Sequence, residues 1–338
     1  MLLRRIFPAG ENMPKNYQER SLLEFQKEFP DDESCGKHLS NIRWPDGFVC
    51  PKCNNREAWY LPKRRLYDCK NCRTQTSITA GTIFHKTRVP LLSWYWLIYR
   101  MAMSKVGVSV CEMKRLLGIG GYKTAWLMAH KVRKAMAERD AQYNLAGLVE
   151  MDESFFGPAG ETTGRGSENK SVVLCAISLY RNKKGEEKPG FAHMQIVNDA
   201  SAETIEGFLE RLGCGNETED GKQLMHTIRT DGWRSYGRAS KNKGLTHCRV
   251  VLRNPKAAGR LMPWIHKLIG NTKNVIRGTH RGVSGKHLQS YLSEVAYRFN
   301  RRFWENELFD RLIQACVIAE TITYPELIRN RLGKPLRS

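Results

Sequence analysis

Four cysteines, Cys50, Cys53, Cys69 and Cys72, stand as two Cys-x-x-Cys pairs with fifteen residues between them. Each pair presents two thiolates from one tight knuckle, and two knuckles close the tetrahedral four-thiolate site that structural Zn²⁺ takes. A cysteine-bearing chain without a secretory signature is read for a metal before a disulfide. The other six cysteines are scattered and read as ordinary thiols.

A second set of residues is acidic. Carboxylates that converge on one point hold Mg²⁺ or Mn²⁺, cations that want hard oxygen ligands, and such a site supports phosphoryl transfer. The candidates are Asp152 in Val149-Glu-Met-Asp-Glu-Ser-Phe-Phe, Asp231 in Thr230-Asp-Gly-Trp, and Glu294, the single acid among residues 241–302. Glu150 shares a strand face with Asp152 and Glu153 is adjacent, so both compete with it by register. Asp231 by itself also resembles a turn aspartate before Gly232; only the constellation raises it.

The elements that must position these groups follow from periodicity. Residues 17–30 have helical spacing and stop at Pro30. Ala58-Trp-Tyr-Leu and Arg65-Leu-Tyr-Asp read as the hairpin of a zinc ribbon. Pro90 to Met103 reads as an apolar helix. Ser109-x-x-Glu112 reads as a capping box opening a helix that ends near Leu117. After the Gly118-Ile-Gly-Gly turn, a basic helix runs from Lys123 to Met136, a helix-turn-helix plan. Strands are expected from Gly147, over Ser171–Leu179, Phe191–Val197, His226–Asp231 and from Cys248, with a capped helix from Ser201. A helix from about Lys286 to Arg302 carries Glu294 off its apolar face of Leu288, Leu292, Val295 and Phe299. Three strands, helix, strand, short helical region, strand and helix is the order of an α/β ribonuclease-H-like fold with a mixed five-stranded sheet.

Charge names the partner class. Fifty-five Lys and Arg against 34 Asp and Glu give +21, and the excess is uneven. Residues 50–136 hold 17 basic and 3 acidic residues, 241–302 hold 14 and one, and 137–240 hold 12 and 17. Two basic blocks flank an acidic one, which points to a polyanion such as DNA. Lys123, Lys131, Arg133 and Lys134 on the second helix, with Arg298 and Arg302 on the last core helix, are the candidate DNA contacts. No run approaches the roughly 18 apolar residues of a membrane span, and the N-terminal apolar stretch is too short for a signal peptide. A cytoplasmic protein without a membrane partner is expected.

Taken together, Cys50-Pro-Lys-Cys, Cys69-Lys-Asn-Cys, Val149-Glu-Met-Asp-Glu-Ser-Phe-Phe-Gly, Thr230-Asp-Gly-Trp-Arg-Ser-Tyr, Gly278-Thr-His-Arg-Gly-Val-Ser and the stretch from His287 to Arg302 resemble one family. It is the bacterial insertion-sequence transposases that join an N-terminal zinc ribbon to an ISXO-type DDE core. The resemblance spans roughly residues 17–305. It implies that Asp152, Asp231 and Glu294 form the acidic triad, with Arg301 as the basic residue seven places after the last acid. Asn300 and His287 are substitutes for the third ligand. It further implies structural Zn²⁺, catalytic Mg²⁺ or Mn²⁺, and metal-dependent cleavage at terminal inverted repeats followed by strand transfer into target DNA. A homodimer or higher oligomer on DNA is expected. The expected organisation is an N-terminal helical segment (1–45), a zinc ribbon (46–82), a helix-turn-helix region (83–140), a catalytic core (146–305) with a basic insertion at about 255–285, and a C-terminal helix with a basic tail (306–338). The competing class is a zinc-ribbon and helix-turn-helix regulator without catalysis.

Overall fold

The computed structural model describes residues 21–157, 170–215, 217, 224–250 and 261–329. Residues 1–20 of the expected N-terminal helical segment, residues 255–260 of the expected insertion, the end of the strand expected from Cys248 and the basic tail lie outside the described residues. The chain divides into two units, residues 140–303 and the described part of 16–139 together with 304–329.

In the second of these units, capping residues set the first helices. Ser21 and Glu24 form a reciprocal capping box at the start of α1 (Leu22–Glu28), and Asp31 with Ser34 does the same for α2 (Asp32–Arg43). The ribbon follows as an antiparallel sheet of β1 (Ala58–Leu61), β2 (Leu66–Cys69) and β3 (Gln75–Ser77). Helices α3 (Leu91–Met103), α4 (Val110–Leu116) and α5 (Tyr122–Asp140) come next. The expected capping box at Ser109 is not formed: Ser109 is the N-cap residue but makes no side-chain bond, and Glu112 instead faces Arg100 at 3.5 Å. The turn after α4 does match its glycines. Gly118 takes φ +62°, and the N–H groups of Gly118 and Ile119 return to the carbonyls of Arg115 and Lys114, which is a Schellman ending. From Met128 to Met136 only Lys134 of α5 reaches even partial exposure, so this helix is the unit's interior axis. The expected C-terminal helix is α10 (Leu308–Ile318), followed by α11 (Tyr324–Arg329). Phe309 of α10 meets Phe25 of α1 and Tyr95 of α3 at 5.0 and 5.6 Å between ring centres.

The unit of residues 140–303 holds the acidic residues. Its strands are β4 (Gly147–Phe156), β5 (Ser171–Arg181), β6 (Glu187–Val197), β7 (Met225–Thr230) and β8 (Thr246–Arg249), in the spatial order β6-β5-β4-β7-β8. The first three form an antiparallel meander; β4 with β7 and β7 with β8 are parallel. This is the ribonuclease-H-like sheet. Alternation along β4 sends Val149 and Met151 to a core with α6 (Ala202–Arg211) and α7 (Arg234–Asn242), built around Ile205, Phe208, Tyr236 and Ala239. Phe156, Val173, Cys175 and Ile177 face the other way, toward α8 (Pro263–Gly278) and α9 (Gly285–Asn300). α8 is a regular helix where the sequence analysis places a basic insertion.

Candidate active site and metal centres

The four cysteines form one cluster, with their sulfurs all within 4.8 Å of one another. Cys50 to Cys72 and Cys53 to Cys69 are each 3.5 Å, close to the edge of about 3.8 Å that a tetrahedron with 2.3 Å Zn–S bonds requires. Hydrogen bonding from Thr74 holds the Cys72 thiol down, to about 6, so a thiolate is available at neutral pH. The donor set fits Zn²⁺.

In the core unit the sheet register brings the two aspartates together. Glu150 pairs with Arg229 across the parallel β4–β7 ladder; two residues on, Asp152 and Asp231 come level, on strands about 4.8 Å apart. Asp152 lies on the α8 face. Burial, and then the like charges of Glu153 and Asp231, push its carboxyl up to about 7. A divalent cation relieves that kind of strain, because opposite charge favours the ionised form. Asp231 follows β7 directly, and its Oδ1 accepts from the Trp233 N–H at 3.0 Å. The competitors are engaged elsewhere. Glu150 accepts from backbone N–H groups of α8, and Glu153 accepts from the Tyr236 hydroxyl at 3.1 Å.

The third group at this site is a histidine. His266, in the second turn of α8, points Nδ1 at Asp152 Oδ2 from 3.5 Å. Burial holds its ring below the usual imidazole range, although Asp231 pulls the other way. A neutral ring is the form that ligates a metal. Its Nε2 is buried without a hydrogen-bond partner among the described residues. Seven residues on, Lys273 feels the field of Asp152, and its ammonium lies 5.6 Å from the Phe156 ring centre. Two carboxylates, an imidazole and an ammonium gather here, the donor types that a divalent cation and a phosphate take, although among the described residues the four cysteines alone have ligand atoms all within 4.8 Å of one another. Beside Asp231, Gly232 leaves room for Arg249: a Cβ at Gly232 would stand 3.3 Å from that guanidinium.

Glu294 and Arg301 are not brought to the aspartates. Both lie in or at the end of α9, which packs along β6, an edge strand separated from β4 by β5. Glu294 is 1% exposed and faces Arg298 at 3.7 Å. Arg301 is 3% exposed, bonded to Asp140 at 2.6 Å and stacked on the Tyr297 ring at 3.5 Å. Asn300 bonds the Ala192 backbone in both directions, and His287 is on the same helix. The side chain that the structure brings to Asp152 is therefore on α8 and not on α9. Replacing Arg301 by alanine strips the buried Asp140 carboxylate of its charged partner and leaves it only the Asn300 amide. We expect a loss of roughly 3–5 kcal/mol in stability, read by urea denaturation, ahead of any specific effect on chemistry.

Most of the expected DNA contacts are engaged within the protein. Lys131 donates to the Ile83 carbonyl at 2.8 Å and to Thr321, Arg133 is fully buried, and Lys134 bonds Glu138 and the Glu320 carbonyl. All three sit on the buried stretch of α5. Arg298 is held against Glu294, and Arg302 donates to the carbonyls of Pro189, Gly190 and Phe299. Lys123 alone of the set is exposed, at the start of α5, with its ammonium 4.0 Å from the Tyr324 ring. Exposed cations also stand on the ribbon, at Lys52, Arg56, Lys70 and Arg73, beside Trp59 and Tyr60, which are 55% and 47% exposed.

His266 and Lys273 were missed, yet a signal existed. Pro263 begins a run with Ile265, Leu268, Ile269, Thr272, Val275 and Ile276 on one face, which is helical spacing. The seven-residue step assigned to Glu294 and Arg301 recurs from His266 to Lys273.

The chain thus joins a ribonuclease-H-like sheet, with Asp152 and Asp231 carried by neighbouring strands, to a four-cysteine ribbon. Residues 144–300 match the model of the ISXO2-like transposase domain and residues 30–75 that of the transposase zinc-ribbon domain. Together these matches take in more than half of the chain, and it belongs to the insertion-sequence transposases that carry both domains. A Halobacterium salinarum protein described as an uncharacterized protein in transposable element ISH50 is 23% identical over 237 residues, 67% of this chain and 76% of that protein. Among solved structures, the pre-cleavage Mos1 transpososome matches at 10% identity over 62% of this chain and 73% of that one, with a TM-score of 0.27. The Drosophila P element transposase strand transfer complex matches at 10% identity over 60% and 56%, with a TM-score of 0.24. Among the described residues no helix is long and apolar enough to cross a membrane.

Proposed function

We propose that this transposase cleaves DNA at the ends of its element and joins the freed 3′-hydroxyl to target DNA, using a divalent metal held by Asp152, Asp231 and His266. The observation that carries the reading is the meeting of His266 with Asp152 at 3.5 Å, on a strand level with Asp231. Asp152 and Asp231 supply hard oxygen ligands, and the neutral ring of His266 supplies a nitrogen. A bound Mg²⁺ or Mn²⁺ would polarise the scissile phosphate and acidify the attacking water. Lys273, one helical stripe beyond His266, orients a non-bridging phosphate oxygen, and Arg249 offers a second cation beside Asp231. DNA is held by the exposed cations of the ribbon and by the first turn of α5 at Lys123, in a homodimer or larger assembly. The basic residues make that binding weaken as salt rises.

The test uses an oligonucleotide carrying the element's end. His266→Ala should lower Mg²⁺-dependent cleavage by about 10²-fold or more, the scale of several kcal/mol of metal-borne stabilisation. Glu294→Gln should stay within about threefold of the unaltered protein. The reverse ranking would return the third position to α9. A protein that binds the end but never cleaves it under Mg²⁺ or Mn²⁺ would be the non-catalytic regulator.

A further inference from the structure

Two residues before Asp152, on the same face of β4, Glu150 is completely buried. Its Oε2 accepts from the backbone N–H groups of Trp264 at 3.2 Å and Ile265 at 2.9 Å. Its Oε1 faces Arg229 Nη1 at 3.3 Å. Arg229 also donates twice to the Glu187 carboxylate, at 2.8 and 2.9 Å, and the Trp264 indole donates to the Glu187 carbonyl at 3.2 Å. The bonds form a closed ring from Glu150 through the first turn of α8 to Glu187, Arg229 and back.

The local sequence of α8 explains why an outside carboxylate is needed. Its N-cap residue is Met262, which has no side-chain acceptor, and Pro263 at the first position has no N–H. The N–H groups of Trp264 and Ile265 are therefore the open donors that a capping side chain would normally take. Glu150 takes both from the sheet, and its negative charge complements the helix start.

Position then matters. His266 immediately follows Ile265, and helix residues rise about 1.5 Å each. Glu150 and Asp152 are about 6.6 Å apart along β4. The Glu150–Ile265 bond and the Asp152–His266 contact are neighbouring rungs between the same two elements. We propose that Glu150, braced by Arg229, is a positioning residue that fixes α8 at the height where His266 meets Asp152. This inference rests on the reading of His266 as the third group of the site.

The experiment is a double-mutant cycle on Mn²⁺ affinity, measured with the full chain by electron paramagnetic resonance of free Mn²⁺. The proteins are the unaltered chain, Glu150→Gln, His266→Ala and the double variant. Glu150→Gln keeps the volume and one acceptor oxygen while removing the charge. Loss of a group that orients a ligand weakens metal binding by about 10- to 100-fold, and we expect roughly tenfold here. In the His266→Ala background, adding Glu150→Gln should change nothing further. Glu150→Gln binding Mn²⁺ like the unaltered chain, or weakening it equally in both backgrounds, would overturn the positioning role while leaving His266 in place. Unchanged Mn²⁺ binding by His266→Ala would instead remove the reading of His266, and this proposal with it. If Glu150→Gln does not fold, Trp264→Phe opens the same ring at the indole bond alone. It should weaken Mn²⁺ binding several-fold only when His266 is present, and no change there overturns the proposal.

Discussion

Asp231→Asn should abolish strand cleavage and joining, with a fall of about 10³-fold or more, because a lost metal ligand removes several kcal/mol of transition-state stabilisation. The substitution is nearly isosteric. An asparagine Oδ1 can still accept from the Trp233 N–H that now bonds Asp231 at 3.0 Å, so the turn after β7 survives. Binding to the element's end should stay within about twofold, since the side chain acts on a metal and not on DNA recognition. Asp152→Asn should behave alike, and it also removes the partner of His266. The measurement is single-turnover cleavage and strand transfer in Mg²⁺ and in Mn²⁺, beside a binding titration. Full activity in the Asp231 variant would sink the metal mechanism.

Zinc removal is the second large effect. The ribbon's own apolar cluster is small, with Phe48, Cys50 and Cys69 buried and Trp44, Ala58 and Tyr67 packed beside them. So little buried surface cannot order three short strands by itself. In small domains of this kind, metal binding supplies the folding free energy, about 10–16 kcal/mol for structural zinc in peptides. Cys53→Ser should therefore lower zinc from one ion per chain to a small fraction of that and melt the ribbon. Metal analysis and near-ultraviolet circular dichroism of Trp44, Trp59 and Tyr67 would follow both changes. Full zinc content in the variant would exclude the four-thiolate site.

Much of the sheet was legible because its strands are buried on both faces or alternate cleanly. Ser171 to Leu179 is a nearly continuous apolar run, and Asp152 and Asp231 became neighbours once the strand order was set. What escaped the reading was hidden by charge. The basic residues across 253–286 disguised the apolar stripe of α8, and with it His266. Glu294 drew notice as a lone acid in a basic stretch, but a buried acid can persist simply because Arg298 stands one turn away. Charge counting equally failed on α5. Lys131 and Arg133 look like a DNA-facing stripe, but sequence does not say which cations have carbonyls such as that of Ile83 waiting for them. The Ser109 and Glu112 spacing fits a capping box, and Arg100, remote in the pattern, claims the glutamate.

The pairing of β4 with β7 governs the order in which a growing chain can become competent. The meander of β4, β5 and β6 joins segments close in sequence and can form early, since domains fold as the N-terminal parts emerge. Asp231 and His266 arrive 79 and 114 residues after Asp152. Until Pro263 to Gly278 has left the ribosome, Glu150 has no helix start to hold and the Asp152 carboxylate has no cover. A nascent chain that ends before Pro263 thus has Asp152 without His266 beside it and Glu150 without its two backbone donors. Translation itself delays the meeting of Asp152 with His266 until the ribbon and the first turn of α5 already exist.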